Sequence, residues 1–513
     1  MSLLQPTDFN IICAVLGAFV SLFGLVSYFV KERLFLSEAL IALVFGLALG
    51  PHGANFIRPQ DYANGDKQQL ESITLAFSRL VLGVQLVLAG VQLPKNYLMN
   101  QRRSLAMLLG PIMVLKWIVS SFLVWWLVPG ASYVVSLAVA ACITPTDPIL
   151  ANNIVKGKFA DAHIPPNLQN IITAESGAND GLGYPFLFVA LYVLKYCVIG
   201  APTYHGGATE VAKLWIFETV GYVVLLSVAY GALVGWLAKE SLHWAEKRKL
   251  VDRESFLVFA IALALFIVGT CGMIGSDDVL ACFIAGNVFT LDDWFRLETM
   301  DDSLQPTIDM LLNMTIFLWF GAVCPWSDFV NTPELPLGRL VLLSILIILL
   351  RRPPIVLAFY RCVPRIESFR QALFAGYFGP IGVSAIFYLF LTCDYLTEMD
   401  RTLGLPESGR KEVEEMLRVI KPVVWMCVVT SVIVHGITIP CIMFGNILPG
   451  NIPIPTHHSV SRILRFGQQT EESDDERGKA RQLAVEERLP IIRQDGDTDS
   501  SRTIYYGSTG VAE

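Results

Sequence analysis

The chain has 513 residues, 54% of them hydrophobic and 16% charged, with a formal net charge of −7. Soluble domains carry about 25% charged residues; here the apolar excess falls in blocks of about 20 residues, the length of a bilayer-crossing helix, which excludes a water-soluble multidomain protein. No basic patch points to nucleic acid, and much of the acid lies near the C-terminus.

Met1 to Asn10 has no lysine or arginine ahead of its apolar run, so that run reads as a retained span rather than a cleaved signal. Thirteen spans are expected, at roughly 10–30, 34–51, 73–93, 104–128, 131–154, 167–195, 214–238, 255–274, 277–291, 305–324, 338–360, 369–392 and 418–446. The ninth is short for a full crossing. Lysine and arginine gather in loops after odd-numbered spans, as at Lys31 and Arg33, Lys95 with Arg102 and Arg103, and Lys247-Arg248-Lys249. Positive charge accumulates on the cytoplasmic side, so the N-terminus is expected outside and the C-terminus inside. The ten cysteines form no CxxC pair and mostly sit within apolar blocks. They read as small buried hydrophobes, with neither a disulfide framework nor a metal site among them. Residues 1–458 thus form the transmembrane domain. Residues 459–513, rich in Glu, Asp, Ser, Arg and Gln, lack the apolar content to fold alone. They read as a disordered cytoplasmic tail, either merely solvated or carrying regulatory phosphorylation or partner binding.

Two spans carry helix breakers at mid-depth: the fifth has Thr144-Pro145-Thr146-Asp147-Pro148, and the twelfth has Phe378-Gly379-Pro380-Ile381-Gly382. Proline removes a backbone donor and clashes with the preceding turn. Unwound backbone at membrane depth survives only inside protein or along a cavity. With span 7 as linker, spans 1–6 and 8–13 form two sets of six, and each break falls in the fifth member. Matched breaks of this kind point to an inverted repeat whose site lies where the broken helices cross. The fold class is therefore all-α and polytopic, with about 13 spans in two inverted six-helix repeats.

Intramembrane charges cost ~2.5–3.5 kcal/mol each on insertion scales and mark function or a partner. Asp147 lies in the fifth span, Glu175 and Asp180 in the sixth, and Arg351 and Arg352 in the eleventh. Residues four apart share a helix face, so Ser176 lies with Asp180, while Glu175 lies with Asn179 on a face turned by about 100°. The two acids are therefore assigned different tasks. Asp180 faces the cavity, with Ser176 beside it; Asp147 and Thr146 approach from the unwound fifth span. These oxygens suit a hard alkali cation, with Asp180 and Asp147 as its carboxylates. Glu175 pairs in the interior with Arg351 or Arg352. Arg352 is favoured, being deeper and directly before Pro353-Pro354. Burial disfavours a charged carboxylate, so a proton and a cation compete for Asp180, and with alternating access that competition gives exchange. No Walker-type loop is present, so no cofactor is expected. Lys116 reads as salt-bridged or snorkelling, and His435 as hydrogen-bonded packing.

Through these residues, together with Gly50-Pro51-His52-Gly53 and Gly275-Ser276-Asp277-Asp278-Val279-Leu280, the sequence resembles the fungal plasma-membrane sodium/proton antiporters of the cation/proton antiporter superfamily. The resemblance covers nearly all of residues 1–450. It implies exchange of cytoplasmic Na+, and Li+, for external H+, serving salt tolerance and pH and cation homeostasis, in a homodimer with a dimerisation domain and a six-helix core. It implies that Asn179-Asp180 is the signature of electroneutral members and that Asp180 is the exchanging carboxylate. Glu175 and Arg352 resemble that branch's bracing ion pair, and Thr146, Asp147 and Ser176 match positions around the ion. Asp277 and Asp278 match the family pattern without a derived role beyond helix capping. A K+/H+ exchanger of the same fold is the alternative. An intramembrane aspartyl protease using Asp147 and Asp180 is a remote one, since it leaves the matched breaks unexplained.

Overall fold

The computed structural model describes residues 7–148, 150–151, 164–199, 207–331 and 335–445, and among them every regular element is a helix. Nine described helices are long and apolar enough to cross a bilayer, coinciding with spans 1, 3, 4, 6, 7, 8, 10, 11 and 13. Spans 2, 5 and 9 are the shorter apolar helices Glu38–Leu49, Tyr133–Ile143 and Asp278–Phe289. Span 12 is a broken pair, Phe369–Tyr377 and Val383–Leu403. Large apolar side chains such as Leu25, Phe217 and Met273 stand exposed on the outside, which suits a bilayer as solvent. Met1–Phe444 forms one compact unit; the expected tail over 459–513 lies outside the described residues.

Several edges differ from those read in the sequence, for local reasons. Span 13 begins at Glu407 rather than near 418, because its polar start is rich in good helix formers and carries a Glu407–Lys411 pair at 3.0 Å. Span 3 begins at Lys67, where the Asp66 side chain accepts the Gln68 amide at 2.9 Å. The helix of span 5 stops at Ile143, one residue before the first breaker motif. The end expected for that span near 154 falls among residues that are not described.

Glycines bring the two sets together. A Cβ on Gly46 of span 2 would strike the Leu318 carbonyl and Gly321 of span 10, and a Cβ on Gly286 of span 9 would strike the Val87 carbonyl of span 3, beside Gly90. Gly46 and Gly286 are each the ninth residue of a twelve-residue helix. Gly90 and Gly321 are each third from the end of theirs. The second member of one set thus crosses the third member of the other, twice, at equivalent glycines. Only a missing side chain lets helix backbones approach this closely. Each short helix also opens on a paired acid: Glu38 with Lys31, and Asp278 with Arg79 at 2.6 Å.

Candidate functional site

The breaks in spans 5 and 12 leave backbone groups that must find partners inside the protein. Arg351 answers the carbonyl ends. Its Nη1 donates to the carbonyls of Ile143, Thr144 (3.4 Å) and Pro145 (3.3 Å), and its Nη2 donates to Gly379 at 2.6 Å. Asp147 answers the amide ends. Its Oδ1 accepts from Leu150 N at 3.2 Å, in its own span, and its Oδ2 accepts from Val383 N, the first residue of the helix after the second break. Its own amide donates to the Pro380 carbonyl at 3.0 Å. One guanidinium therefore serves the negative ends of both broken helices, and one carboxylate serves two positive ends, the favourable sense of the helix dipole. Gly382 makes room: a Cβ there would overlap the Asp147 carboxylate.

Span 6 enters as the helix Pro166–Gly181. Asn179 grips the first break at Thr146, accepting its amide at Oδ1 (3.0 Å) and donating from Nδ2 to its hydroxyl (2.7 Å). That hydroxyl lies 3.3 Å from Ser176 Oγ. The next residue, Asp180, is fully buried, yet among the described residues neither carboxylate oxygen has a hydrogen-bond partner. Ser384 stands within interaction range of this carboxylate, and its own hydroxyl also lacks a hydrogen bond. Asp147 lies within electrostatic reach. The Asp180 backbone is pinned by Tyr388, whose hydroxyl donates to the Asp180 carbonyl and sits 3.4 Å from that of Gly181. The result is an acid held in place by its main chain with its side chain unspent. Such a buried carboxylate must bind a proton or a cation to offset its desolvation.

Glu175 is committed elsewhere. Its Oε2 lies 2.8 Å from Arg352 Nη2, and its Oε1 lies 3.6 Å from Lys116 Nζ, with every partner essentially fully buried. Arg352 also donates to the Ala375 carbonyl at 2.9 Å. The two adjacent arginines therefore differ in their work: Arg352 holds the acid and one helix carbonyl, and Arg351 holds the carbonyls of the two breaks. Asp277 caps span 9 by accepting the Leu280 amide at 3.0 Å, and Asp278 binds Arg79.

The sequence reading of Lys116 as salt-bridged or snorkelling named no partner, which is Glu175; Gly382 was read only as a helix breaker, and Tyr388 and Ser384 were given no role. For Lys116 a signal existed: Lys116 and Arg351 are 235 residues apart, as are Pro145 and Pro380, so Lys116 occupies in the first set the place Arg351 takes in the second. Gly382 stands at the same offset from Asp147. Tyr388 and Ser384 carried none, because a tyrosine or serine in an apolar helix is ordinary.

A family model described as "Sodium/hydrogen exchanger, transmembrane" matches residues 18–445. The Na(+)/H(+) antiporter 2 of Zygosaccharomyces rouxii is 39% identical, over 87% of this chain and 54% of its own. The Na(+)/H(+) antiporter of Saccharomyces cerevisiae is 39% identical, over 86% of this chain and 44% of its own. The chain thus spans about half the length of these two relatives. Among solved structures, the sodium proton antiporter of Methanocaldococcus jannaschii superposes with a TM-score of 0.58 at 20% identity, covering 84% of this chain and 100% of that one. At that identity the likeness speaks for the fold alone.

Proposed function

The chain belongs to the sodium/hydrogen exchanger family, and on that premise we propose that it is a secondary antiporter exchanging cytoplasmic Na+, and Li+, for external H+ across the plasma membrane. The observation that carries this reading is Asp180, a fully buried carboxylate whose oxygens have no hydrogen-bond partner among the described residues. A proton or an alkali cation neutralises it, one excluding the other. Ser176, Thr146 and Ser384 bring neutral oxygens to the same neighbourhood, the donor type a hard cation prefers. The cation is cargo, so no resident cofactor enters the mechanism.

Asp147 contributes charge beside the cargo while its oxygens tie the two broken helices together. This engagement by backbone amides also argues against a protease dyad, which needs both aspartates on one water. Glu175, Arg352 and Lys116 brace the core and stay paired through the cycle. The chain is a multi-pass membrane protein, and alternating access carries the loaded Asp180 between its two sides. We further propose a homodimer, as the family resemblance implies, with the N-terminus outside and the C-terminus inside, from the distribution of Lys and Arg.

The test is reconstitution into liposomes with an internal pH dye, adding sodium, lithium and potassium in turn. Sodium and lithium are expected to drive a pH change that Asp180→Asn abolishes. A response to potassium alone would replace this substrate with the alternative one. Vesicles silent to all three would sink the exchange reading.

A further inference from the structure

The break in span 12 is also held from a direction the ion site does not use. Between Phe369–Tyr377 and Val383–Leu403 the chain runs unwound, and two of its backbone groups are met by the last span. Ser431 Oγ accepts the Ile381 amide at 2.8 Å. His435 Nε2 lies 3.2 Å from the Tyr377 carbonyl, at the end of the preceding helix. Ser431 and His435 are four residues apart on one helix face, and both are buried. Ser431 Oγ lies 3.2 Å from His435 Nδ1, which is also 2.9 Å from the Ser431 carbonyl beneath it. One neutral tautomer serves three of these four contacts, leaving Nδ1 without a proton toward the Ser431 carbonyl. Ile381 N–H donates to Ser431 Oγ, the Ser431 hydroxyl donates to Nδ1, and Nε2–H donates to the Tyr377 carbonyl. The two side chains thus bridge the gap from one side of the break to its middle.

The other half of the molecule holds the equivalent amide in the same way. Thr146 follows Pro145 as Ile381 follows Pro380, and the Thr146 amide is taken by Asn179 of span 6 at 3.0 Å. Spans 6 and 13 are each the last of their set. In the first half the residue that grips the break adjoins the exchanging acid. In the second half the grip belongs to Ser431 and His435, which hold the backbone leading to the groups that meet Asp147, and the His435 ring also packs against Tyr377 and Phe378.

We propose that Ser431 and His435 are positioning residues of the ion site, clamping the second break so that Val383 N–H and the Pro380 carbonyl meet Asp147 and fix its carboxylate toward the bound cation. The proposal rests on the exchange reading, and it assigns the clamp to cation affinity rather than to turnover. Losing the Ser431 hydroxyl leaves the Ile381 amide buried without a partner, a loss worth about tenfold in an equilibrium constant.

The experiment compares Ser431→Ala, Ser431→Thr, His435→Ala and the unaltered full chain in the dye-loaded liposomes, with sodium varied. Hydrogen–deuterium exchange over residues 378–383 is followed on the same proteins. Both alanine variants should raise the half-saturating sodium concentration about tenfold, hold the maximal rate within about twofold, and lose about tenfold protection at 378–383. Ser431→Thr, which keeps the hydroxyl, should restore both. If the alanine variants lower the maximal rate and the unfolding temperature together while half-saturation stays put, the residues are merely structural and the proposal is overturned. Unchanged half-saturation with unchanged protection overturns it as well. If the unaltered protein moves no protons with any cation, the exchange reading fails by itself, and unchanged protection in Ser431→Ala then removes the clamp too.

Discussion

The two breaks sit at equivalent places in the chain but carry opposite kinds of residue. The first, at 144–148, contains Asp147; the second, at 378–382, contains no charge, and the position matching Asp147 is Gly382. A Cβ at Gly382 would occupy the space of the Asp147 carboxylate. One half supplies the charge, and the other supplies the vacancy that receives it. The same division recurs one layer out, where Arg351 in the second half binds the carbonyls of both breaks while Lys116, its counterpart, lies against Glu175. A duplicated frame thus keeps its crossing geometry, while the chemistry comes from the positions at which the halves differ. Two strongly charged copies would face each other at the crossing, and like charges in a low-dielectric interior repel strongly.

That contrast can be broken at four places. The greatest effect is expected from Asp180→Asn, which should reduce cation-driven proton movement to that of empty vesicles. The thermal midpoint should stay unchanged or rise, because an unpartnered buried carboxylate is removed; persistent exchange would detach the mechanism from this residue. Glu175→Gln comes next and acts on stability. It strands Arg352 and Lys116 in the interior, at a cost of about 3–5 kcal/mol, visible as a lowered unfolding temperature in detergent, while exchange per folded molecule persists. Intact stability with lost exchange would reverse the roles given to the two acids. Gly382→Ala puts a methyl where the Asp147 carboxylate sits and should cost about 1–3 kcal/mol by overpacking, together with weaker cation affinity in the dye assay. If it behaves as the unaltered protein does, the vacancy has no role. The smallest effect, with opposite sign, belongs to Gly269→Ala, where nothing lies within 4 Å of the added Cβ. In that helix interior it should stabilise by about 0.5–1 kcal/mol, measured on the same thermal scan.

Much of the architecture was legible because the bilayer imposes its own length on every crossing and because proline and glycine break helices by local sterics. All thirteen expected segments have helices where the apolar blocks lie, and both breaks fall at their Pro and Gly motifs. The start of span 13 was missed because polar helix formers extend a helix beyond its apolar stretch. In the site, helical spacing separated Glu175 from Asp180. It was silent on the double duty of Asp147, on the pinning of Asp180 by Tyr388, and on Lys116 as a second neighbour of Glu175.

What the amino-acid order determined by itself was whatever acts within a few residues: which stretches are apolar enough for lipid, where a helix must stop, and which side chains share a face. What only the tertiary structure decided was who meets whom across two hundred residues: Arg351 on the carbonyls, Arg352 on Glu175, Asp147 on Val383, and an Asp180 carboxylate with no hydrogen bond among the described residues. The reason is that a buried charge or orphaned amide demands some partner, but backbone carbonyls and amides are the same at every residue, and only packing says which of them comes within reach.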